Sequence, residues 1–162
     1  MPFLDSSIPA GFAPFNIQNI GGLLYVTYAK QKAPDNIFDQ PGAGNGYVDI
    51  FNADGSLLRN FASQGTLNSP WGIALAPGGF ADFGIAILIG NFGDGRINIF
   101  DMHGDFRGQL QGTNRQLITI PGLWAIDFLQ NNQPGINRHS PLYFTAGPDF
   151  GAHGLFGTLK KE

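Results

Sequence analysis

The chain has 162 residues and a formal net charge of −3, with 43% of its residues hydrophobic and 13% charged; this is enough apolar material for one sizeable core and excludes a disordered chain. Its nine Lys and Arg residues give no basic footprint, so neither nucleic acid nor an anionic membrane is an expected partner. It has no cysteine, which excludes a disulfide framework, a thiolate nucleophile and Cys-ligated zinc.

No apolar run approaches the roughly 18 residues of a membrane span, and the first residues lack the charged-then-apolar pattern of a signal peptide, so the expectation is a soluble chain without an address. The 24 glycines and 11 prolines make up about a fifth of the chain, which disfavours long helices and favours short strands joined by tight turns. In chain order, Pro2-Phe-Leu-Asp5 reads as a short outer strand. Pro14-Phe-Asn-Ile17 belongs to an inner strand, and Gly22-Leu-Leu-Tyr-Val-Thr-Tyr28 follows as a short apolar strand. Gly46-Tyr-Val-Asp-Ile-Phe-Asn-Ala-Asp-Gly-Ser-Leu-Leu-Arg-Asn-Phe61 alternates, turns at a glycine and alternates again, which predicts a hairpin. The series then returns as Pro70-Trp-Gly-Ile-Ala-Leu75, Gly84-Ile-Ala-Ile-Leu-Ile-Gly90 and the hairpin Gly95-Arg-Ile-Asn-Ile-Phe-Asp-Met-His-Gly-Asp-Phe-Arg-Gly-Gln-Leu110. A third round reads Pro121-Gly-Leu-Trp-Ala-Ile-Asp-Phe128, Pro141-Leu-Tyr-Phe-Thr145 and Gly154-Leu-Phe-Gly-Thr-Leu159.

The two hairpins are offset by 49 residues, with Gly55 and Gly104 at the turn position that needs a positive φ. A four-stranded unit recurring at about 40 to 50 residues is the signature of a propeller blade. The expected fold class is all-β, a β-propeller with about three four-stranded blades per chain, at roughly residues 11–61, 69–110 and 120–159, the last without its outer strand. Rings take about four to eight blades, so three leave the apolar faces of the end blades bare. A second copy of the chain is therefore the expected partner, a homodimer closing a six-bladed ring, with residues 2–5 as the possible outer strand of the partner's third blade. A β-sandwich and a fragment of a longer chain are the alternatives.

The blade pattern, above all Gly46-Tyr-Val-Asp-Ile-Phe51, Asp54-Gly-Ser-Leu-Leu-Arg-Asn-Phe61 and Leu67-Asn-Ser-Pro-Trp-Gly-Ile-Ala-Leu-Ala-Pro77, resembles the NHL repeat. Gly11-Phe-Ala-Pro-Phe-Asn-Ile-Gln18, Leu24-Tyr-Val-Thr-Tyr-Ala29, Leu142-Tyr-Phe-Thr-Ala-Gly147 and Gly154-Leu-Phe-Gly157 look like an uncharacterised family of bacterial, often exported, six-bladed NHL-like proteins. The resemblance covers nearly the whole chain and implies a match to the C-terminal half of longer members. It carries no catalytic residue.

In a blade, the connections from second to third strand and the segments leading into the inner strands share one mouth of the channel. That mouth would gather the 29–45 connection with Lys30, Lys32, Asp35, Asn36 and Asp39, together with Asn91-Phe-Gly-Asp-Gly95, Pro148-Asp-Phe-Gly-Ala-His153, Asn68-Ser-Pro-Trp71 and Ile120-Pro-Gly-Leu-Trp124. The candidate ligand-binding residues are Tyr28, Asn68, Trp71, Asn91, Asp94, Trp124, Asp149 and His153, because loops on a rigid scaffold carry function. Structural readings stand beside them: Trp71 and Trp124 as packing between blades, Asn91 and Asp94 as turn residues bonding their own backbone. His103 and His139 read as solvated. His153 with Asp149 or Asp127 would make a base and its orienter, although nothing in the spacing brings them together. No nucleophile elbow, phosphate loop or zinc spacing occurs, and Gly90-Asn-Phe-Gly-Asp-Gly95 joins two strands without leading into a helix. No catalytic or metal-ligating residue is assigned and no cofactor is expected, with calcium in a site assembled from several blades as the one exception. The expected function is a non-catalytic binding scaffold for a protein, peptide or glycan; the alternative is a metal-dependent hydrolase or lyase with its site at the channel mouth.

Overall fold

The computed structural model describes residues 3–80, 84–128, 140–149 and 151–160. It is all-β: no helix occurs among the described residues, and eleven strands form three antiparallel sheets. The first sheet runs β1 (Phe12–Ile20), β2 (Leu23–Lys30), β3 (Gly46–Phe51), β4 (Leu57–Ser63) in that spatial order. The second runs β5 (Pro70–Ala76), β6 (Ala86–Asn91), β7 (Ile97–Phe100), β8 (Phe106–Gln109). The third holds β9 (Leu123–Phe128), β10 (Leu142–Ala146) and β11 (Leu155–Leu159), and no fourth strand follows β11 among the described residues.

Both sequence-predicted hairpins form, β3–β4 and β7–β8. Their turns close with Gly55 N donating to Asn52 O at 3.0 Å and Gly104 N to Asp101 O at 3.1 Å. Gly104 has φ of 93°, and a Cβ there would lie 2.1 Å from Phe61 O, so glycine is what lets β4 lie against this turn. Arg59 on β4 fastens the same turn: its guanidinium donates to the carbonyls of Met102 and His103, each at 2.7 Å.

The sheets pack face to face in chain order. Tyr25, Val48, Ile50 and Phe61 of the first meet Ile73, Ile87, Ile89 and Phe100 of the second. The other face of the second sheet presents Ala74, Leu88, Ile97 and Ile99 to Leu123, Ile126, Phe128 and Leu142 of the third. β6 and β7 are therefore buried on both faces, which explains why β6 reads as a near-continuous apolar run rather than a half-polar alternation. At about 25 cal/mol per Å² of apolar area removed from water, this double burial dominates the stability of the middle sheet. Gly72 keeps β5 close to β9, since a Cβ there would lie 2.7 Å from Trp124 O.

The two end faces differ from each other. The sequence leads one to expect both bare, but the outer face of the first sheet is covered by the chain's own N-terminal segment. Val26, Tyr28, Tyr47 and Phe51 form a small core there with Ile8 and Phe12. Phe3 packs on Phe51 at 6.0 Å, and Phe3 N donates to Gly55 O at 2.7 Å. Of the segment 2–5, residue 2 lies outside the described residues and Phe3 to Asp5 sit on this sheet. By register, the outer face of the third sheet carries Asp127, Tyr143, Thr145, Phe156 and Thr158. Tyr143 stacks on Phe156 there, and Phe156 is 70% exposed.

Candidate functional site

Backbone hydrogen bonds draw the β2–β3, β6–β7 and β10–β11 connections together with the segments leading into β5 and β9. Ser69 N donates to Asn45 O at 3.2 Å, Gly93 N to Asn68 O at 3.1 Å, Ile120 N to Gly95 O at 2.8 Å and Gly147 N to Gly122 O at 2.8 Å. The same end carries a run of aromatic rings. Phe15, Trp71 and Trp124 occupy corresponding places near the starts of β1, β5 and β9, and all three are half-buried. Trp71 meets Phe15 edge-on at 4.5 Å, and Phe92 lies 6.3 Å from both. Asn16 Nδ2 donates to Trp71 O at 2.9 Å, tying the first sheet to the second. Trp124 lies over Gly147, where a Cβ would come within 2.3 Å of its ring. Both tryptophans thus pack while keeping part of their surface in solvent.

Beneath this end lies an amide network. Asn91 Oδ1 accepts from Asn68 N and from Asn98 Nδ2, both at 3.1 Å, and Asn91 Nδ2 donates to Thr66 O at 2.8 Å. Gln109 Nε2 donates to Asn98 Oδ1 at 3.0 Å. Asn68 Oδ1 accepts from Gly42 N at 2.7 Å. Reading Asn91 as a turn residue that bonds its own neighbours is therefore corrected: its side chain reaches across to residues 66–68, which carry the chain from the first sheet into the second. Asp94 is a turn residue, accepting from Arg96 N at 3.1 Å.

The remaining candidates are dispersed. Tyr28 is buried in the N-terminal core with its hydroxyl near Asp49, and burial pushes its ionisation well above the usual tyrosine range. Asp149 and His153 are exposed, and Asp149 contributes its carbonyl to Ala152 N at 3.1 Å. Asp127 accepts from Phe128 N at 2.8 Å. No hydrogen bond joins His153 to Asp127 or Asp149 among the described residues, so the base and its orienter are not assembled. His103 sits exposed in the β7–β8 turn, and His139 lies outside the described residues. The β2–β3 connection folds on itself through the Gln31–Asp39 bridge and leaves Ile37 and Phe38 bare. Among the described residues no group of three or more His, Asp or Glu side chains is arranged to hold a metal.

A polar cluster around a buried carboxylate escaped the sequence reading. Asp49 is fully buried and accepts from Asn60 Nδ2 at 2.9 Å, with Tyr28 and Asp5 close by. Register makes it the first-sheet counterpart of the amide network: Tyr28, Asp49 and Asn60 correspond to Asn91, Asn98 and Gln109. The available signal was that both hairpins place a polar residue, Asp49 and Asn98, at the same point of an otherwise apolar third strand.

No protein-family model matches the chain. The uncharacterized protein L690 of Acanthamoeba polyphaga mimivirus is 40% identical over 171 residues, covering 99% of this chain and 42% of that protein. The uncharacterized protein R648 of the same virus is 37% identical over 168 residues, covering 99% of this chain and 40% of its own. A third, R640, is 40% identical over 119 residues, covering 74% of this chain and 22% of its own. The chain thus spans about two fifths of the length of the first two relatives. These relatives are viral, whereas the motif resemblance implied a bacterial family.

Proposed function

We propose that the three sheets are successive blades of a β-propeller, that two copies of the chain close a six-bladed ring, and that the ring is a non-catalytic binding scaffold. A peptide or glycan would meet it at the end carrying Phe15, Trp71, Phe92 and Trp124. The observation that carries this reading is the equivalence of the sheets down to single side chains: one aromatic position recurs as Phe15, Trp71 and Trp124, at the end where the long connections gather. Half-exposed rings on a rigid frame give a ligand flat apolar area at small entropic cost.

The ends of the chain support the ring. Phe3 lies on Phe51 at 6.0 Å, and Phe61 lies on Phe100, the repeat equivalent of Phe51, also at 6.0 Å. Residues 3–5 therefore stand, relative to the first sheet, where the outer strand of the first sheet stands relative to the second. The third sheet lacks such a strand among the described residues, and pairing β11 with residues 3–5 of a second copy would cover its open edge. The test is solution mass by light scattering at micromolar concentration. A particle of twice 17.4 kDa is expected, losing its dimeric mass on Phe156→Glu; a monomer overturns the ring. Trp71→Ala and Trp124→Ala should abolish hits on peptide and glycan arrays without changing that mass, and unchanged hits would remove the aromatic end from the reading.

A further inference from the structure

The first sheet buries a carboxylate where the second buries an amide. Asn98 and Asp49 are repeat equivalents, and neither exposes any surface. Asn98 is satisfied, donating to Asn91 Oδ1 and accepting from Gln109 Nε2. Asp49 is satisfied at Oδ1 by Asn60, but its Oδ2 is buried with no hydrogen-bond partner. The groups that act on it are Asn60 from β4, Tyr28 from β2 and Asp5 from the N-terminal segment. Tyr47 of β3 shares the same core. None of these is a cation. Asp5 is bound at Oδ1 by Ser7 N at 2.7 Å, and its Oδ2 is likewise buried and unpartnered.

A buried carboxylate that faces a second carboxylate and no counter-charge ionises only at a cost. Burial first, then the charge of Asp5, pushes Asp49 up to about 6, against the hydrogen bond of Asn60 and the nearby Tyr28 hydroxyl, which favour its charged form. A proton on Oδ2 removes the repulsion and gives that oxygen a hydrogen to donate. Phe3 and Ile8 supply the apolar hold of the segment on the sheet, so the proton sets its strength.

We propose that residues 3–10 form a latch controlled by a proton on Asp49: with the proton in place the segment is held on the outer face of the first sheet, and without it the hold weakens and Val26, Tyr28, Tyr47 and Phe51 become accessible. The latch goes beyond the ring reading and is built from contacts within one copy. Its sign follows from linkage: a carboxyl raised from 3.8 to about 6 in the closed state stabilises that state fully below about pH 4 and loses the contribution as pH rises through about 6. If opening returned the carboxyl to its ordinary value, a midpoint raised by about 2 on the pH scale would make the closing equilibrium at most roughly a hundredfold weaker once the proton is lost.

The experiment is NMR on the full chain. It follows the Asp49 carboxyl carbon and the exchange protection of the Phe3 amide, the latter corrected for intrinsic exchange, from about pH 4 to 7. The carboxyl is expected to titrate near 6, with Phe3 protection falling over the same range by at most roughly a hundredfold. Asp49→Asn, the residue used by the second sheet, should keep the fold and make protection independent of pH. Asp5→Asn should move the Asp49 midpoint down. An Asp49 carboxyl titrating near 4, or Phe3 protection that does not follow it, overturns the latch. Recovery of full protection at pH 7 with calcium chloride also overturns it, because the site would then take a cation in place of the proton.

Discussion

Replacing Asn91 with alanine tests whether the amide network holds the second sheet to the crossover from the first. The variant removes three hydrogen bonds: Asn68 N to Oδ1 at 3.1 Å, Asn98 Nδ2 to Oδ1 at 3.1 Å, and Nδ2 to Thr66 O at 2.8 Å. Asn98 Nδ2 keeps a long bond to Thr66 O at 3.4 Å, so the main cost falls on the amide of Asn68 and the weakened carbonyl of Thr66. A buried polar group left without a partner costs about 1–3 kcal/mol, and Asn91 is itself fully buried. The expected destabilisation is about 3–5 kcal/mol, a large share of the stability of a small domain. Urea unfolding followed by the fluorescence of Trp71 and Trp124 reads it as a lower midpoint at unchanged slope. Hydrogen exchange should show the amide of Asn68 losing more protection than strands β9 to β11. A loss under about 1 kcal/mol with exchange at Asn68 unchanged would refute the reasoning. Loss of ligand binding at full stability would instead mark Asn91 as a contact residue.

Gly104→Ala should cost about 2–3 kcal/mol, because φ is 93° and the new Cβ would lie 2.1 Å from Phe61 O; a thermal midpoint within a degree of the parent would contradict it. Asp101 is held at about 2 by its hydrogen bonds from the Arg107 guanidinium, with the backbone amides of His103 and Asp105 adding to the effect. A depressed carboxyl stabilises the fold above its ordinary range and loses that contribution as pH falls toward 2. Arg107→Ala should therefore move the NMR midpoint of Asp101 upward, and an unmoved midpoint would assign the depression to the turn amides alone.

Much of this architecture could be read from local pattern. Gly46 to Phe61 and Gly95 to Leu110 announce hairpins because alternation and a positive-φ glycine are properties of neighbouring residues. The clustering of the Asn68, Asn91, Asn45 and Gly122 regions at one end follows from strand order alone. The packing reading of Trp71 also holds, since Phe15 of the adjacent sheet supplies the ring it meets. Other features depend on what arrives from far along the chain. The segment 3–10 carries no local sign that it will cover Tyr28 and Phe51, and Asn91 gives no sign that its partners are Thr66 and Asn68, 25 and 23 residues before it.

Asp49 marks the division between the two. Its place on a third strand, in step with Asn98, is a matter of period and repeat, and the amino-acid order determines both. Its burial, its unpaired oxygen and its raised ionisation are decided by tertiary structure, because desolvation and charge act through space: they depend on Asp5, Tyr28 and Asn60 being folded around it.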